Sequence, residues 1–287
     1  LRKRRPDMRV LMLSSLTQSG AEVTMEALAR GADDCASKSS GGHSIEESIN
    51  LLRDQLCGKI KQFFRFHRSG SEAAANQEIA SNPHVAGGRK VWTGAVEAIL
   101  IGISTGGPAA LAHVIPALGG LQVPLLIVQH MPPMFTKLLA QRLNSQSQLQ
   151  VVEAEAGMLL EPGTVYIAPG DFHMSVRPHS GGRVKIQLDQ GPPENCCRPA
   201  VDVLFRRAAD VWGKRAAAVI MTGMGHDGLA GARTMWAAGS MVLAQDEETS
   251  VVWGMPGEIA KAGLADRVLP LEEIPTAILG ISRRSNR

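Results

Sequence analysis

The stretch AILIGISTGGP, residues 98–108, decides how the main part of the chain folds. It opens with a short apolar run, which is typical of a buried strand, and a helical pattern begins at Pro108 and continues to Leu118. Ser104 lies in the turn between them, in the spacing Gly102-x-Ser104-x-Gly106. Small flanking residues permit the sharp turn of a nucleophile elbow, which exposes a serine hydroxyl at a helix N-terminus. The stretch therefore predicts a strand, a tight turn carrying a candidate nucleophile, and a helix.

A second interpretation of this turn is equally open. Ser104 or Thr105 could serve as the cap of the following helix, with the glycines needed only for the turn. A phosphate-binding loop is disfavoured, because neither the dinucleotide fingerprint nor a Walker lysine is present. A nucleophilic role for Ser104 also requires a base from elsewhere in the chain.

The composition narrows the class of protein. The 287 residues are 44% hydrophobic, which is enough for one large domain or two modest ones. A net charge of +3 is too balanced for a nucleic-acid footprint. Because the chain has neither a long apolar run nor the apolar core of a secretory signal, we expect no membrane insertion and a cytoplasmic location.

The four cysteines are expected to be reduced thiols. Cys35, Cys57, Cys196 and Cys197 show neither the spacing of a metal site nor that of a disulfide framework. The histidines are scattered without metal-ligand spacing. We therefore predict no metal and no cofactor.

Residues 1–66 predict a short alternation of strands and helices. The strands are expected over Met8–Leu13 and Asp34–Ser37, and the helices over Ala21–Arg30 and from Ser44 to Phe63. This order indicates a parallel sheet. Two strands are too few for a stable domain, so the region is interpreted as a partial one.

Residues 67–93 are small and polar without a sustained period, and we interpret them as a linker. Residues 94–282 again alternate between strand and helix patterns, which predicts a doubly wound, mostly parallel α/β domain. Within it, residues 163–168, 172–176 and 183–188 lie around Pro-Gly and Gly-Gly turns. They predict antiparallel strands and an inserted β-hairpin.

Three polar residues follow predicted strands of this domain. Ser104 and His130 end neighbouring strands in sequence, and Asp227 lies in the glycine-rich run TGMGHDG at residues 222–228. Ligands of open parallel sheets gather at the carboxyl ends of the strands, so these side chains can converge. A serine needs a neutral imidazole to take its proton, and a carboxylate fixes the tautomer of that imidazole.

Purely structural roles for the same residues remain open. His130 could be a core histidine, and Asp227 could cap the helix that starts at Gly228. The order Ser, His, Asp along the chain argues against an α/β-hydrolase, in which the aspartate precedes the histidine.

The first region resembles the second half of a response-regulator receiver domain. The resemblance rests on Ser14 at the end of a strand, a helix closed by Gly31 and Lys38 after the last strand, although Ser39 stands where the family has proline. The alternative interpretation is that Ser14 and Lys38 are ordinary polar residues at the ends of loops. The half of a receiver that carries the phosphoacceptor aspartate is missing from this sequence, so we expect no phosphoryl uptake, and a histidine kinase partner only if the native protein has a full receiver.

The second domain resembles the CheB family of chemotaxis protein-glutamate methylesterases. The resemblance covers Ala95 to Ile278 and rests on five motifs in register: GISTGGP at 102–108, QHMPP at 129–133, PGTVYIAPG at 162–170 with His173, RPAVDVLF at 198–205, and TGMGHDG at 222–228. The family's catalytic serine, histidine and aspartate fall on Ser104, His130 and Asp227.

This resemblance implies hydrolysis of γ-glutamyl methyl esters on the cytoplasmic helices of chemoreceptors, with deamidation of certain glutamines as a second activity. The backbone N–H of Thr105, with one near Met224, would hold the oxyanion. His173 is expected to be a rim or structural residue. Arg198 would either recognise an acidic receptor surface or pair with Asp202.

Cys197 stands where family members often have a histidine, which puts the polarity of that position in doubt. Two other functions stay open at this point. One is a scaffold that docks on receptors without catalysis, and the other is a serine esterase or amidase acting on small molecules.

Overall fold

The computed structural model describes residues 96–282 continuously and, before them, residues 5, 8–15, 17–38 and part of 46–63. The chain divides into two compact units, residues 1–83 and 84–287. The predicted linker over 67–93 lies outside the described residues. The helix predicted from Ser44 to Phe63 is described only in part.

The described part of the first unit includes a strand, a helix and a second strand. Strand β1 (Leu11–Ser15), helix α1 (Gln18–Ala29) and strand β2 (Asp34–Lys38) follow one another, and β1 pairs with β2 in parallel. Ser14 and Lys38 therefore lie at the carboxyl ends of the two strands, on the same end of this small sheet. The Ser14 hydroxyl donates a hydrogen bond to the carbonyl of Gly20 at 2.9 Å, which ties the strand end to the helix.

The second unit is built on a seven-stranded parallel sheet. Its strands are β3 (Ala98–Ile103), β4 (Leu125–Gln129), β5 (Gln150–Glu153), β6 (Thr164–Ile167), β9 (Ala216–Ile220), β10 (Met241–Gln245) and β11 (Arg267–Leu269). They lie in the order β11-β10-β9-β3-β4-β6-β5, and each neighbouring pair is parallel. The mostly parallel α/β fold is thus as predicted.

The connecting helices are α2 (Gly107–Val114), α3 (Phe135–Gln146), α4 (Val201–Trp212), α5 (Leu229–Ala237), α6 (Met255–Lys261) and α7 (Ile274–Ser282). The central strands β3, β4 and β9 are buried along their whole length, which is why they are continuous apolar runs without alternation. No helix among the described residues is long and apolar enough to cross a membrane.

The inserted hairpin is smaller than predicted. Strands β7 (His173–Pro178) and β8 (Val184–Asp189) form the expected antiparallel pair. The prediction of an antiparallel strand over 163–168 is wrong, because β6 lies inside the parallel sheet between β4 and β5. Its four residues are all buried, as expected for an inner strand that is covered on both faces.

The sheet has its topological switch point between β3 and β9, where successive strands begin to be added on the opposite side of β3. From β3 the chain passes to β4, then to the edge strand β5, and back to β6 between them, and it then crosses to the other side of β3 with β9, β10 and β11. The loops that leave adjacent strands at such a switch point diverge and leave a crevice at the carboxyl edge of the sheet. The loops after β3, β4 and β9 carry Ser104, His130 and Asp227.

Candidate active site

Main-chain hydrogen bonds hold the three strand ends together. The Ser104 N–H donates to the carbonyl of Thr222 at 3.0 Å, and the His130 N–H donates to the carbonyl of Ile103 at 3.1 Å. The turn after β3 is thereby fixed against the loops after β9 and β4. Ser104 is half-buried at this edge, directly before helix α2.

The turn after Ser104 needs its glycines for two different reasons. Gly106 has a φ of 81°, a left-handed conformation that residues with a Cβ rarely adopt. At Gly107 a Cβ atom would lie 1.9 Å from Oε1 of Gln129, so any side chain there would collide with it. The small residues of the elbow therefore serve both the backbone turn and a close approach.

Gln129 is a residue of this site that the sequence analysis did not single out. Its buried side-chain amide donates hydrogen bonds to the carbonyls of Ser104, at 3.0 Å, and of His130, at 3.1 Å. One amide group thus links the main chains that carry the candidate nucleophile and the candidate base. A polar residue at the end of a fully apolar strand was the sequence signal for it.

His130 and Asp227 are in direct contact. The His130 Nε2 and the Asp227 Oδ2 are 2.8 Å apart, although the two residues are 97 positions apart in the chain. Asp227 is 3% exposed. Because a buried carboxylate only accepts hydrogen bonds when ionised, Nε2 carries the proton and Nδ1 is the nitrogen left to act as a base.

Five donors surround the Asp227 carboxylate. Besides His130, they are the N–H groups of Val201, Asp202 and Gly228 and the side-chain amide of Asn195, at 2.6, 3.1, 3.0 and 2.9 Å. Val201 and Asp202 begin helix α4, whose N-terminus favours a negative charge. The carboxylate is therefore held in one position and in its ionised form.

The ionisation of the pair follows from these contacts. Burial by itself raises the pKa of Asp227, but the hydrogen bond and charge of His130, with the other donors, lower it overall. Burial by itself lowers the pKa of His130, but its hydrogen bonds with Asp227 and Cys197 outweigh burial and raise the pKa. Asp227 therefore stabilises the imidazolium that forms when His130 accepts a proton.

The carboxylate of Asp202 is linked to that of Asp227 through a shared hydrogen-bond donor. The Asn195 side-chain amide donates to Asp202 Oδ2 and to Asp227 Oδ1, both at 2.9 Å. Asp202 is buried and also accepts the Gly231 N–H at 2.6 Å. Burial raises its pKa, and the nearby Asp227 charge acts in the same direction. The sequence analysis did not assign Asn195 or this role of Asp202, because the contacts link distant segments.

The position of the Ser104 hydroxyl differs from that of a fully connected triad. In the part of the chain that the structure describes, no hydrogen bond joins this hydroxyl to His130. Instead, the Nδ1 of His130 faces the Sγ of Cys197 at 3.6 Å. Catalytic hydrogen bonds are often loose without substrate, so the lack of this bond does not remove Ser104 from the candidate site.

The two residues predicted to hold an oxyanion lie on the loops around Ser104. Thr105 is buried in the turn, and its carbonyl accepts the Thr222 hydroxyl at 2.9 Å. Met224 is half-buried in the loop after β9. Their assignment as oxyanion donors stays a prediction.

Two further predictions can be compared with their surroundings. His173 is 2% exposed; its Nε2 lies 3.0 Å from the Pro192 carbonyl, and its Nδ1 accepts the Ala200 N–H at 3.2 Å. It is therefore a structural residue and not a rim residue. The proposed pairing of Arg198 with Asp202 is wrong, because Arg198 binds Asp171 through its Nε at 2.9 Å.

Comparison with known proteins gives the family. A family profile described as CheB methylesterase matches residues 99–278. The crystal structure of the Thermotoga maritima CheB methylesterase catalytic domain aligns with a TM-score of 0.63 and 46% sequence identity, covering 65% of this chain and 99% of that one.

Curated relatives extend the similarity over nearly the whole chain. The protein-glutamate methylesterase/protein-glutamine glutaminase 2 of Caulobacter vibrioides is 45% identical over 97% of this chain and 79% of its own length. The protein-glutamate methylesterase/protein-glutamine glutaminase of a Nocardioides species is 44% identical over 94% of this chain and 74% of its own length. The chain therefore belongs to the CheB methylesterase family.

Proposed function

We propose that this chain is a serine hydrolase that removes methyl groups from γ-glutamyl methyl esters of chemoreceptors and deamidates certain receptor glutamines. The observation that carries the proposal is the 2.8 Å contact between His130 and Asp227 at the strand edge where Ser104 lies. The relatives named above carry both activities in their names. Both reactions transfer an acyl group to water, so one site serves both.

The reaction proceeds in two halves. The Ser104 hydroxyl attacks the ester carbonyl while the Nδ1 of His130 takes its proton, and Asp227 stabilises the imidazolium. Backbone N–H groups of Thr105 and Met224 stabilise the oxyanion. His130 then protonates the departing methanol, or ammonia from a glutamine, and a water molecule hydrolyses the acyl-serine with His130 as the base again.

The proposed partners come from the resemblance to chemotaxis methylesterases, since acyl transfer by itself does not identify a substrate. The substrates are the methylated cytoplasmic helices of chemoreceptors, and a cytoplasmic location belongs to the same proposal. From the resemblance of the first unit alone, we propose a histidine kinase as a further partner only if the native protein has a full receiver.

The first prediction tests the nucleophile. We expect Ser104→Ala to abolish methanol release from purified methylated receptor, because neither His130 nor Asp227 replaces the hydroxyl that accepts the acyl group. Ser145→Ala is the matched control, since Ser145 is an exposed serine on helix α3. Near-normal turnover by Ser104→Ala would show that the nucleophile lies elsewhere.

Two further measurements separate the alternative functions. A fluorophosphonate probe should label the wild-type chain at Ser104, whereas a docking scaffold without catalysis would stay unlabelled. Hydrolysis of small acyl esters in preference to receptor methyl esters would instead identify a small-molecule esterase.

A further inference from the structure

The side chain of Cys197 lies against the histidine of the candidate site. Its Sγ is 3.6 Å from the Nδ1 of His130. A two-residue turn places it there: Glu194 and Cys197 exchange backbone hydrogen bonds of 3.0 and 2.9 Å. Asn195 and Cys196 between them have φ values of 52° and 61°, as a tight turn of this type requires. The backbone therefore defines the position of the thiol.

We propose that Cys197 Sγ and His130 Nδ1 bind a thiophilic divalent cation, Zn²⁺ above all. In a tetrahedral zinc site the metal lies about 2.3 Å from sulfur and about 2.0 Å from nitrogen, which separates the two ligand atoms by about 3.5 Å. The measured separation of 3.6 Å fits that edge of the tetrahedron. Zinc binds sulfur and imidazole nitrogen well, whereas calcium and magnesium prefer oxygen ligands.

The far side of the imidazole also suits a metal ligand. Metal-binding histidines usually donate their other ring N–H to a carboxylate, which fixes the tautomer and makes the ligand more basic. His130 does so through its Nε2 to Asp227 at 2.8 Å. One donor atom each from His130, Cys197 and Asp227 lie within 4.8 Å of one another. Asp227 thus orients the His130 ring without binding the metal, and water molecules complete the coordination.

The surrounding charges favour a cation. The carboxylates of Asp202 and Asp227 are both buried beside the site and share the amide of Asn195. The guanidinium of Arg206 is committed to Glu194 by two hydrogen bonds of 2.6 Å. With Arg206 paired, Asp202 and Asp227 contribute negative charge in a poorly solvated place, where their attraction for a cation is strong.

Binding requires no oxidant or reductant. The S–H bond of Cys197 breaks, as does the Nδ1–H bond wherever His130 is charged, the protons pass to solvent, and the thiolate and the Nδ1 lone pair each form a bond to the metal. That lone pair is the one that the proposed function uses to accept the Ser104 proton. A bound zinc ion therefore inhibits the esterase reversibly, and this consequence, unlike the binding itself, rests on the proposed function.

The binding test uses the full chain after treatment with a chelator. Titration with Co²⁺, a spectroscopic substitute for zinc, should produce a thiolate-to-cobalt absorption band in the near ultraviolet, which added Zn²⁺ then removes. We expect Cys197→Ser to lose this band and to bind the metal about tenfold or more weakly. Cys196→Ser is the matched control and should keep the band, because Cys196 is the exposed neighbour of Cys197.

The remaining variants keep the result decisive. His130→Gln should weaken Co²⁺ binding although it retains the thiol, and Cys197→Ala should behave as Cys197→Ser does. A wild-type chain without the band would overturn the metal site, as would a band that survives in Cys197→Ser or disappears in Cys196→Ser.

Inhibition is measured separately, as methanol release at increasing free Zn²⁺, with each variant compared with its own metal-free rate. We expect the inhibition of the wild type to be reversed by a chelator and to require more zinc in Cys197→Ser. Zinc that binds at Cys197 without slowing methanol release would contradict the proposed role of His130 while leaving the metal site in place.

Discussion

At the scale of single residues, Asp227 shows how one carboxylate serves both chemistry and folding. Its two oxygens receive hydrogen bonds from His130, from Asn195 and from three backbone N–H groups. Each buried donor that loses its acceptor costs about 1–3 kcal/mol. The same contacts that orient the imidazole therefore also hold the start of helix α4.

The second prediction concerns this carboxylate. We expect Asp227→Asn to lower kcat for methanol release by about 10³- to 10⁴-fold, as in other serine triads, because an amide does not fix the working tautomer of His130. It should also lower the melting temperature, since the amide NH₂ would face backbone donors. Asp210→Asn, at an exposed carboxylate paired with Arg207, is the control and should change neither value much. A kcat within tenfold of wild type would contradict the role of Asp227.

At the scale of elements, the packing of α4 against α5 positions the carboxylate site. Gly231 lies in α5 where it passes α4, and its N–H donates to Asp202 Oδ1 at 2.6 Å. A Cβ added at Gly231 would lie 2.5 Å from the Cβ of Phe205 and 3.1 Å from the carbonyl oxygen of Asp202. The two helices approach this closely only because glycine has no side chain.

The third prediction tests that close approach. We expect Gly231→Ala to reduce the free energy of unfolding by about 1–3 kcal/mol, because the added methyl group forces the helices apart. Activity should fall as well, since α4 supplies the N–H groups of Val201 and Asp202 to Asp227. Chemical denaturation and methanol release measure the two effects.

Gly280→Ala is the matched control in helix α7. A Cβ there meets no atom within 4 Å, so the change should be neutral or stabilise the protein by about 0.5–1 kcal/mol. Equal behaviour of the two variants would show that the α4–α5 contact does not depend on Gly231.

At the scale of the whole molecule, the second unit contains all the residues of the candidate site. Ser104, His130, Cys197 and Asp227 lie within residues 84–287, which form one compact unit. The Thermotoga maritima structure that aligns over 99% of its own length is a catalytic domain. The sheet, its covering helices and the site therefore belong to one folding unit.

The fourth prediction follows from this division. We expect residues 94–282, expressed alone, to fold cooperatively and to retain methylesterase activity, because both faces of the seven-stranded sheet and the whole site lie within them. Thermal unfolding followed by circular dichroism and methanol release from methylated receptor are the measurements. A fragment that is unfolded, or folded but inactive, would mean that the preceding residues complete the domain.

The sequence by itself determined the class of fold and indicated the three residues of the proposed triad. Continuous apolar runs mark strands buried on both faces, and polar residues directly after them mark the active edge of a parallel sheet. These signals are local, because an apolar run and the polar residue that follows it lie close together in the sequence. The motifs in register then indicated the family that the comparisons show.

Only the tertiary structure decided which distant groups meet. It placed β6 inside the sheet, linked Ser104 and His130 through Gln129, and set Cys197 on the Nδ1 of His130. It also paired Arg198 with Asp171 in place of Asp202. Apart from the bond between Gln129 and its neighbour His130, these contacts join segments that lie far apart in the chain. Their geometry depends on strand order and helix packing, so a local pattern of residues does not identify the partners.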